Sequence, residues 1–173
     1  MKTKKNVITS VCISLVLLLA ISLTILINQN LVYTHYEELS HASAQSYSVK
    51  ATSLNFQKEI VIPKYYKYRD DWKSYEYKEV NIIEPYAFEK SRATRFVIPD
   101  SISVIGMRAF YSETSKTIVY EGTLEQWKSI EFPKRVGVFK NTTLECEGEL
   151  YLLSRGGGIK AKYNKEDGSV TIY

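Results

Sequence analysis

VNIIEPYAF (Val80–Phe88) and SISVIGMRAF (Ser101–Phe110) both close on Ala-Phe after an apolar pair. Sliding the chain along itself places Ile82 on Val104, Ile83 on Ile105, Ala87 on Ala109 and Phe88 on Phe110. Val97 likewise falls on Val119, and Ile98 on Tyr120. Every pair is 22 residues apart, and polar residues fill most of the positions between. A fixed offset of this length is the mark of a solenoid, in which each repeat buries its apolar face against its neighbours. Each unit reads as a strand (Arg95–Ile98; Thr117–Tyr120), a Pro or Gly turn, a second short apolar stretch (Ser103–Ile105) and a helical turn carrying Ala-Phe. Ala87 and Ala109 are small enough to let coils approach, and Phe88 and Phe110 fill the core, so all four read as structural.

A third phrase, Glu59-Ile60-Val61-Ile62-Pro63, parallels Phe96-Val97-Ile98-Pro99. Ile62 and Ile98 are 36 residues apart, which is 14 more than one repeat. An insertion is therefore expected at residues 64–79, pushed out of the solenoid where extra length is tolerated. It carries Tyr65, Tyr66, Tyr68, Trp72, Tyr75 and Tyr77, interleaved with Lys64, Lys67, Arg69 and Lys73. Tyr and Trp offer large contact area at low entropic cost, with a polar tip. These six aromatics are the candidate contacts for a protein or glycan partner. A β-hairpin with Tyr on both faces, half of them packed inward, is the competing reading, since Tyr also favours strands.

Several of these phrases resemble the BspA-type leucine-rich repeat family. VIPDSISVIGMRAFY (Val97–Tyr111) is similar to its repeat, YEGTLEQWKSI (Tyr120–Ile130) to its terminal Trp-bearing segment, and NTTLECEGEL (Asn141–Leu150) to the strand after that segment. The resemblance spans about residues 59–150. It implies a mainly β fold with short helical turns, built as a short leucine-rich-repeat solenoid; residues 151–173, which read as three short strands with a hairpin turn at Asp167-Gly168, are expected to form its C-terminal β cap. It also implies a cell-surface protein that adheres to protein or glycan on a cell surface or matrix, with Trp127 in the core. The chain departs from the family pattern at Glu84, where a Gly is usual. It also lacks the Leu that names the repeat, whose neighbourhood holds Ala93 and Ser115 or Lys116. A thinner coil core is expected from that.

The N-terminal segment sets the compartment. Val7–Ile27 holds no charge, Pro, Gly, Asn or Gln. As a helix its length is about 31 Å, enough to cross a hydrocarbon core. Lys2, Lys4 and Lys5 precede it, and no Lys or Arg comes after it until Lys50. The positive-inside rule keeps residues 1–6 in the cytoplasm and exports the chain beyond the apolar run. A cleaved signal peptide is the rival, but Leu23–Ile27 directly succeeds the small residues Ala20 and Ser22, with no polar region before a cut. An uncleaved signal anchor at 7–27, a linker or stalk at 28–58 and an extracellular domain are expected, with the domain's first edge starting at about Tyr47.

Composition narrows the chemistry. The net charge is +4, and past the first three lysines 20 basic side chains face 19 acidic ones. That balance argues against a nucleic-acid-binding domain. Two cysteines, Cys12 in the apolar run and Cys146 far downstream, exclude a disulfide framework and a Cys-rich zinc site. His35 and His41, the two histidines, both precede the repeats. Asp70 and Asp71 are adjacent, so on an extended chain their carboxyls point apart. Gly156–Gly158 lacks the Lys-Ser/Thr ending of a phosphate loop and joins strands instead. No enzyme activity, metal or cofactor is expected. The alternative to adhesion is a structural accessory module of a membrane or envelope complex.

Overall fold

The structure, a computed structural model, describes residues 31–36, 46–51, 57–69, 75–133 and 137–173. They belong to one compact unit, Leu31–Tyr173. In chain order the strands are β1 (Leu31–Tyr36), β2 (Ser46–Ala51), β3 (Glu59–Val61), β4 (Tyr65–Arg69), β5 (Tyr75–Ile83), β6 (Arg95–Ile98), β7 (Val104–Ile105) and β8 (Lys116–Tyr120). A short helix, α1 (Leu124–Ser129), precedes β9 (Thr142–Cys146), β10 (Glu149–Leu153), β11 (Ile159–Tyr163) and β12 (Val170–Ile172).

Period-two burial forms the main sheet. Phe96 and Ile98 of β6, Ile118 and Tyr120 of β8, and Leu144 and Cys146 of β9 point inward, while their neighbours face out. These strands stack in parallel with β3, and β10, β11 and β12 continue the sheet by antiparallel pairing, in the order β12-β11-β10-β9-β8-β6-β3. Phe96 lies beside Ile118, Val97 beside Val119 and Ile98 beside Tyr120, each at the 22-residue offset. Ile60 lies beside Phe96 at the offset of 36. A second parallel ladder joins β2, the inner half of β5, and β7, with Ile82 beside Val104 and Ile83 beside Ile105. Val104 bridges onward to Glu131. Two parallel ladders joined by turns make a solenoid of three coils.

The third side of each coil is the Ala-Phe turn. The Phe88 amide donates to the Ala109 carbonyl, and the Phe110 amide to that of Val138. Phe88 and Phe110 stack with ring centroids 5.2 Å apart, and Phe110 and Phe139 stack at 5.7 Å. Phe96 meets both Phe88 and Phe110 at 5.0 Å. Tyr86 and Arg108, one repeat apart, both adopt positive φ, so the tight turn recurs with the coil. Gly106 serves a different need. A Cβ there would lie 2.4 Å from the Pro85 nitrogen, so coil contact requires its absence. At the equivalent place in the previous coil, Glu84 is buried and accepts a 2.6 Å hydrogen bond from the Ser48 hydroxyl of β2.

The expected thin core is filled in an unexpected way. Lys116, one of the residues near the missing Leu, is 1% exposed. Its Nζ donates to the carbonyls of Ala93 (2.8 Å) and Ser91 (3.3 Å) and lies 5.0 Å from the Phe96 ring centre. Burial pulls its pKa down to about 8. The aliphatic stem packs where a Leu would, and carbonyl oxygens solvate the charge.

Both ends of the ladders are covered. Residues expected in the linker form β1, and β2 stands at the first edge expected from about Tyr47: β1 pairs antiparallel with β2, and β2 joins the second ladder with Val49 fully buried. The physical reason is that the first coil would otherwise leave Ile83 uncovered on the side away from Ile105, where Val49 now lies. At the other end, β10 and β11 extend the main sheet by antiparallel pairing, and β10 runs across the boundary expected at residue 150. The turn at residues 154–158 folds over the last coil. The Trp127 indole donates to the Gly157 carbonyl at 3.0 Å, and the Phe132 ring lies under Gly157, whose φ is +88°. The triple glycine thus closes the core as well as joining strands.

The segment 7–27 lies outside the described residues; among the described residues no helix is long and apolar enough to cross a membrane. Cys12, His41, Asp70 and Asp71 also lie outside them, and His35 stands in β1. Cys146 is buried, its thiol donates to the Gly122 carbonyl, and burial, reinforced by Glu147, raises its pKa.

Candidate functional site

The insertion folds as an antiparallel hairpin on the edge of the coil stack. Its base is fixed by several bonds. The Val80 amide donates to the Lys64 carbonyl (2.9 Å), and the Ser101 hydroxyl donates to the Val80 carbonyl (2.6 Å). Lys64 pairs with Asp100 of the next coil at 2.8 Å, a contact that raises the lysine pKa. Val80 is buried, so β5 leaves the core there and runs outward through residues 75–79.

Strand parity then sorts the aromatics. Tyr65, Lys67 and Arg69 oppose Glu79, Tyr77 and Tyr75. Opposed residues share a face, so Tyr65, Lys67, Tyr75 and Tyr77 stand on one side of the hairpin. Tyr66, which opposes Lys78, stands on the other. Tyr66 is half-buried and packs against the core cluster. For Tyr68 the backbone alone is described, and Trp72 lies outside the described residues. The six aromatics named from the sequence therefore do not form one surface.

The outward face is a row of three tyrosines with a cation among them. Tyr65 is 52% exposed, Tyr75 55% and Tyr77 71%. Lys67 Nζ lies 3.8 Å from the Tyr75 ring centre, across the strands, and Lys64 Nζ lies 6.0 Å from that of Tyr65. Tyr75 and Tyr77, two residues apart on one strand, are about 7 Å apart along it. Such a face offers flat rings for stacking, phenol groups for hydrogen bonds and a cation for an acceptor.

The remaining residues singled out from the sequence lie inside. Ala87, Phe88, Ala109, Phe110 and Trp127 are all buried. Trp127 sits on α1, whose first turn is closed by a capping box between Thr123 and Gln126. The Glu147 carboxylate also accepts from the Leu124 amide at 3.0 Å. Phe139 was not legible as a repeat residue. Val138-Phe139 holds the Ala-Phe place of the third coil, but Phe139 bridges Phe110 at an offset of 29, outside the 22-residue ruler.

These features define the class: a short, capped β solenoid carrying one projecting aromatic hairpin. No family model and no curated protein matches the chain. Among solved structures, a leucine rich cell surface protein from Faecalibacterium prausnitzii is similar at 19% identity with a TM-score of 0.44. The likeness covers 64% of this chain and 30% of that one.

Proposed function

We propose that this chain is an exported, membrane-anchored surface protein of the leucine-rich-repeat type that binds a protein or glycan through the outward face of the β4–β5 hairpin. The observation that carries the proposal is the exposed row Tyr65, Tyr75 and Tyr77 with Lys67 among them, on one face of the inserted hairpin. The apolar run 7–27 behind three lysines supports the anchor and the outward orientation. In this reading the protein binds and does not catalyse.

A second reading, an accessory module packed on an envelope partner, draws on the opposite edge. Val170, Ile172 and Tyr173 are exposed there, and Ile172 is 82% so. Binding of the full chain to intact cells and to matrix-coated surfaces separates the two. The Tyr65→Ala/Tyr75→Ala/Tyr77→Ala variant should lose that binding, and Ile172→Ser should keep it. Unchanged binding by the triple variant would remove the hairpin from the account. Loss confined to Ile172→Ser would favour the accessory module.

A further inference from the structure

A cleft of about 500 Å³ opens where β8 and β9 begin and β10 ends. Arg155, Lys160 and Lys140 supply its charge, and among the described residues no carboxylate lines it. Lys140 is held by Glu113. Among the described residues, Arg155 and Lys160 have no ion-pair partner. Leu152, which is exposed, and Leu153, partly buried against the core, give the cleft an apolar wall. Ser115, Asn141 and Thr143 add hydroxyl and amide groups.

A neighbouring polar cleft of about 460 Å³ shows what a matched surface looks like. It holds Lys162 and Lys165, but Lys162 pairs with Glu149 at 3.1 Å and Lys165 approaches Glu145 at 3.9 Å. The Arg155 cleft has the opposite balance, with two cations left over beside an apolar wall.

We propose that the Arg155–Lys160 cleft binds an acidic sugar of a polysaccharide. Its carboxylate or sulfate ester sits between the Arg155 guanidinium and the Lys160 ammonium, where charge-assisted hydrogen bonds are strongest. The apolar face of the ring lies on Leu152, and ring hydroxyls meet Ser115, Asn141 and Thr143. An acidic peptide fits less well. Extended peptides commonly add to a free strand edge, whereas β9 and β10 each have neighbours on both sides.

Affinity of the full chain for immobilised polygalacturonate, heparin, neutral dextran and poly-glutamate, at one fixed salt concentration, tests this. Polygalacturonate or heparin should bind at least tenfold more tightly than dextran and poly-glutamate, and which of the two is preferred identifies the anionic group. Arg155→Gln/Lys160→Gln should weaken the preferred polysaccharide at least tenfold, and Leu152→Ser several-fold. Lys128→Gln on α1 should change nothing. The triple tyrosine variant of the hairpin should bind as the wild type does, so loss of the hairpin function and loss of this site are separable. Equal binding of dextran, or of poly-glutamate, overturns the proposal. So does full retention of binding by Arg155→Gln/Lys160→Gln with thermal unfolding unchanged.

Discussion

Two aromatic groups in this protein obey opposite rules. Phe88, Phe110 and Phe139 form a column through three coils, each ring within 6 Å of the next. Tyr65, Tyr75 and Tyr77 form a row on the hairpin that faces water. Both sets are spaced regularly, yet regularity means different things in each. In the column the period is that of the coil, so every ring meets its counterpart from the next repeat. In the row the period is that of a strand, which places rings side by side and leaves each more than half exposed. Phe110→Ala puts the column to its hardest test. Phe110 touches both column neighbours and Phe96, so its loss leaves a cavity shared by three coils. We expect a loss of about 3–5 kcal/mol in urea unfolding. A loss below about 1 kcal/mol would mean the column is not a shared core.

The next largest effect tests how closely the coils approach. A methyl at Gly106 would meet Pro85 at 2.4 Å from its nitrogen and 2.7 Å from its Cδ, and these are parts of the chain that cannot swing away. Gly106→Ala should cost about 1–3 kcal/mol. The same measurement on Gly156→Ala, where an added Cβ meets nothing, provides the baseline and should stay within about 0.5 kcal/mol. Equal losses at the two glycines would show that backbone freedom, and not coil contact, is what Gly106 supplies.

The column was legible because a solenoid maps sequence offset directly onto spatial register. Ile82 beside Val104 and Val97 beside Val119 come from the 22-residue ruler alone. The hairpin's position came from the excess length between Ile62 and Ile98. Its faces did not, because Tyr65 and Tyr66 can be assigned to sides only once the register with β5 is known. Phe139 was hidden because α1 lengthens the third coil and Val138 stands in place of Ala. β2 begins where the domain's first edge was expected, at about Tyr47, but its partner was hidden: SYSVKA buries Ser48 and Val49 by pairing with β5, more than 30 residues away, and not through a strong pattern of its own. The Arg155 cleft joins residues from the start of β9 and the far side of β10, which no local motif connects.

Lys116 bears on the column from its edge, where a charge replaces an apolar side chain. Its folded pKa of about 8 lies below the ordinary 10.5, so between those values the unfolded chain binds more protons than the folded one. Stability contributed by this group therefore rises with pH across that window, and the cost of burying the cation is borne in full below about pH 8. Lys116→Met removes that cost, and it should raise stability at pH 7 by about 1–2 kcal/mol. The advantage should shrink as pH climbs from 8 toward 10.5. Comparing the two proteins at each pH cancels other groups, including Tyr120, Tyr151 and Cys146, whose burial raises their pKa values and pushes stability the other way. A gap that stays constant with pH would show that Lys116 reaches water in the folded state.

The row of tyrosines should give the smallest stability change, and that is what makes it informative. Tyr77→Ala removes a ring that is 71% exposed, so urea unfolding should move by no more than about 0.5 kcal/mol. Tyr75→Ala also loses the Lys67 ammonium over its ring and should cost somewhat more, about 0.5–1 kcal/mol. If instead either change approached the loss expected for Phe110→Ala, the rings would be supporting the fold, and the distinction between column and row would collapse. Small stability losses together with a large loss of surface binding would locate the cost of exposing three tyrosines to water in recognition, since the coil stack stands without them.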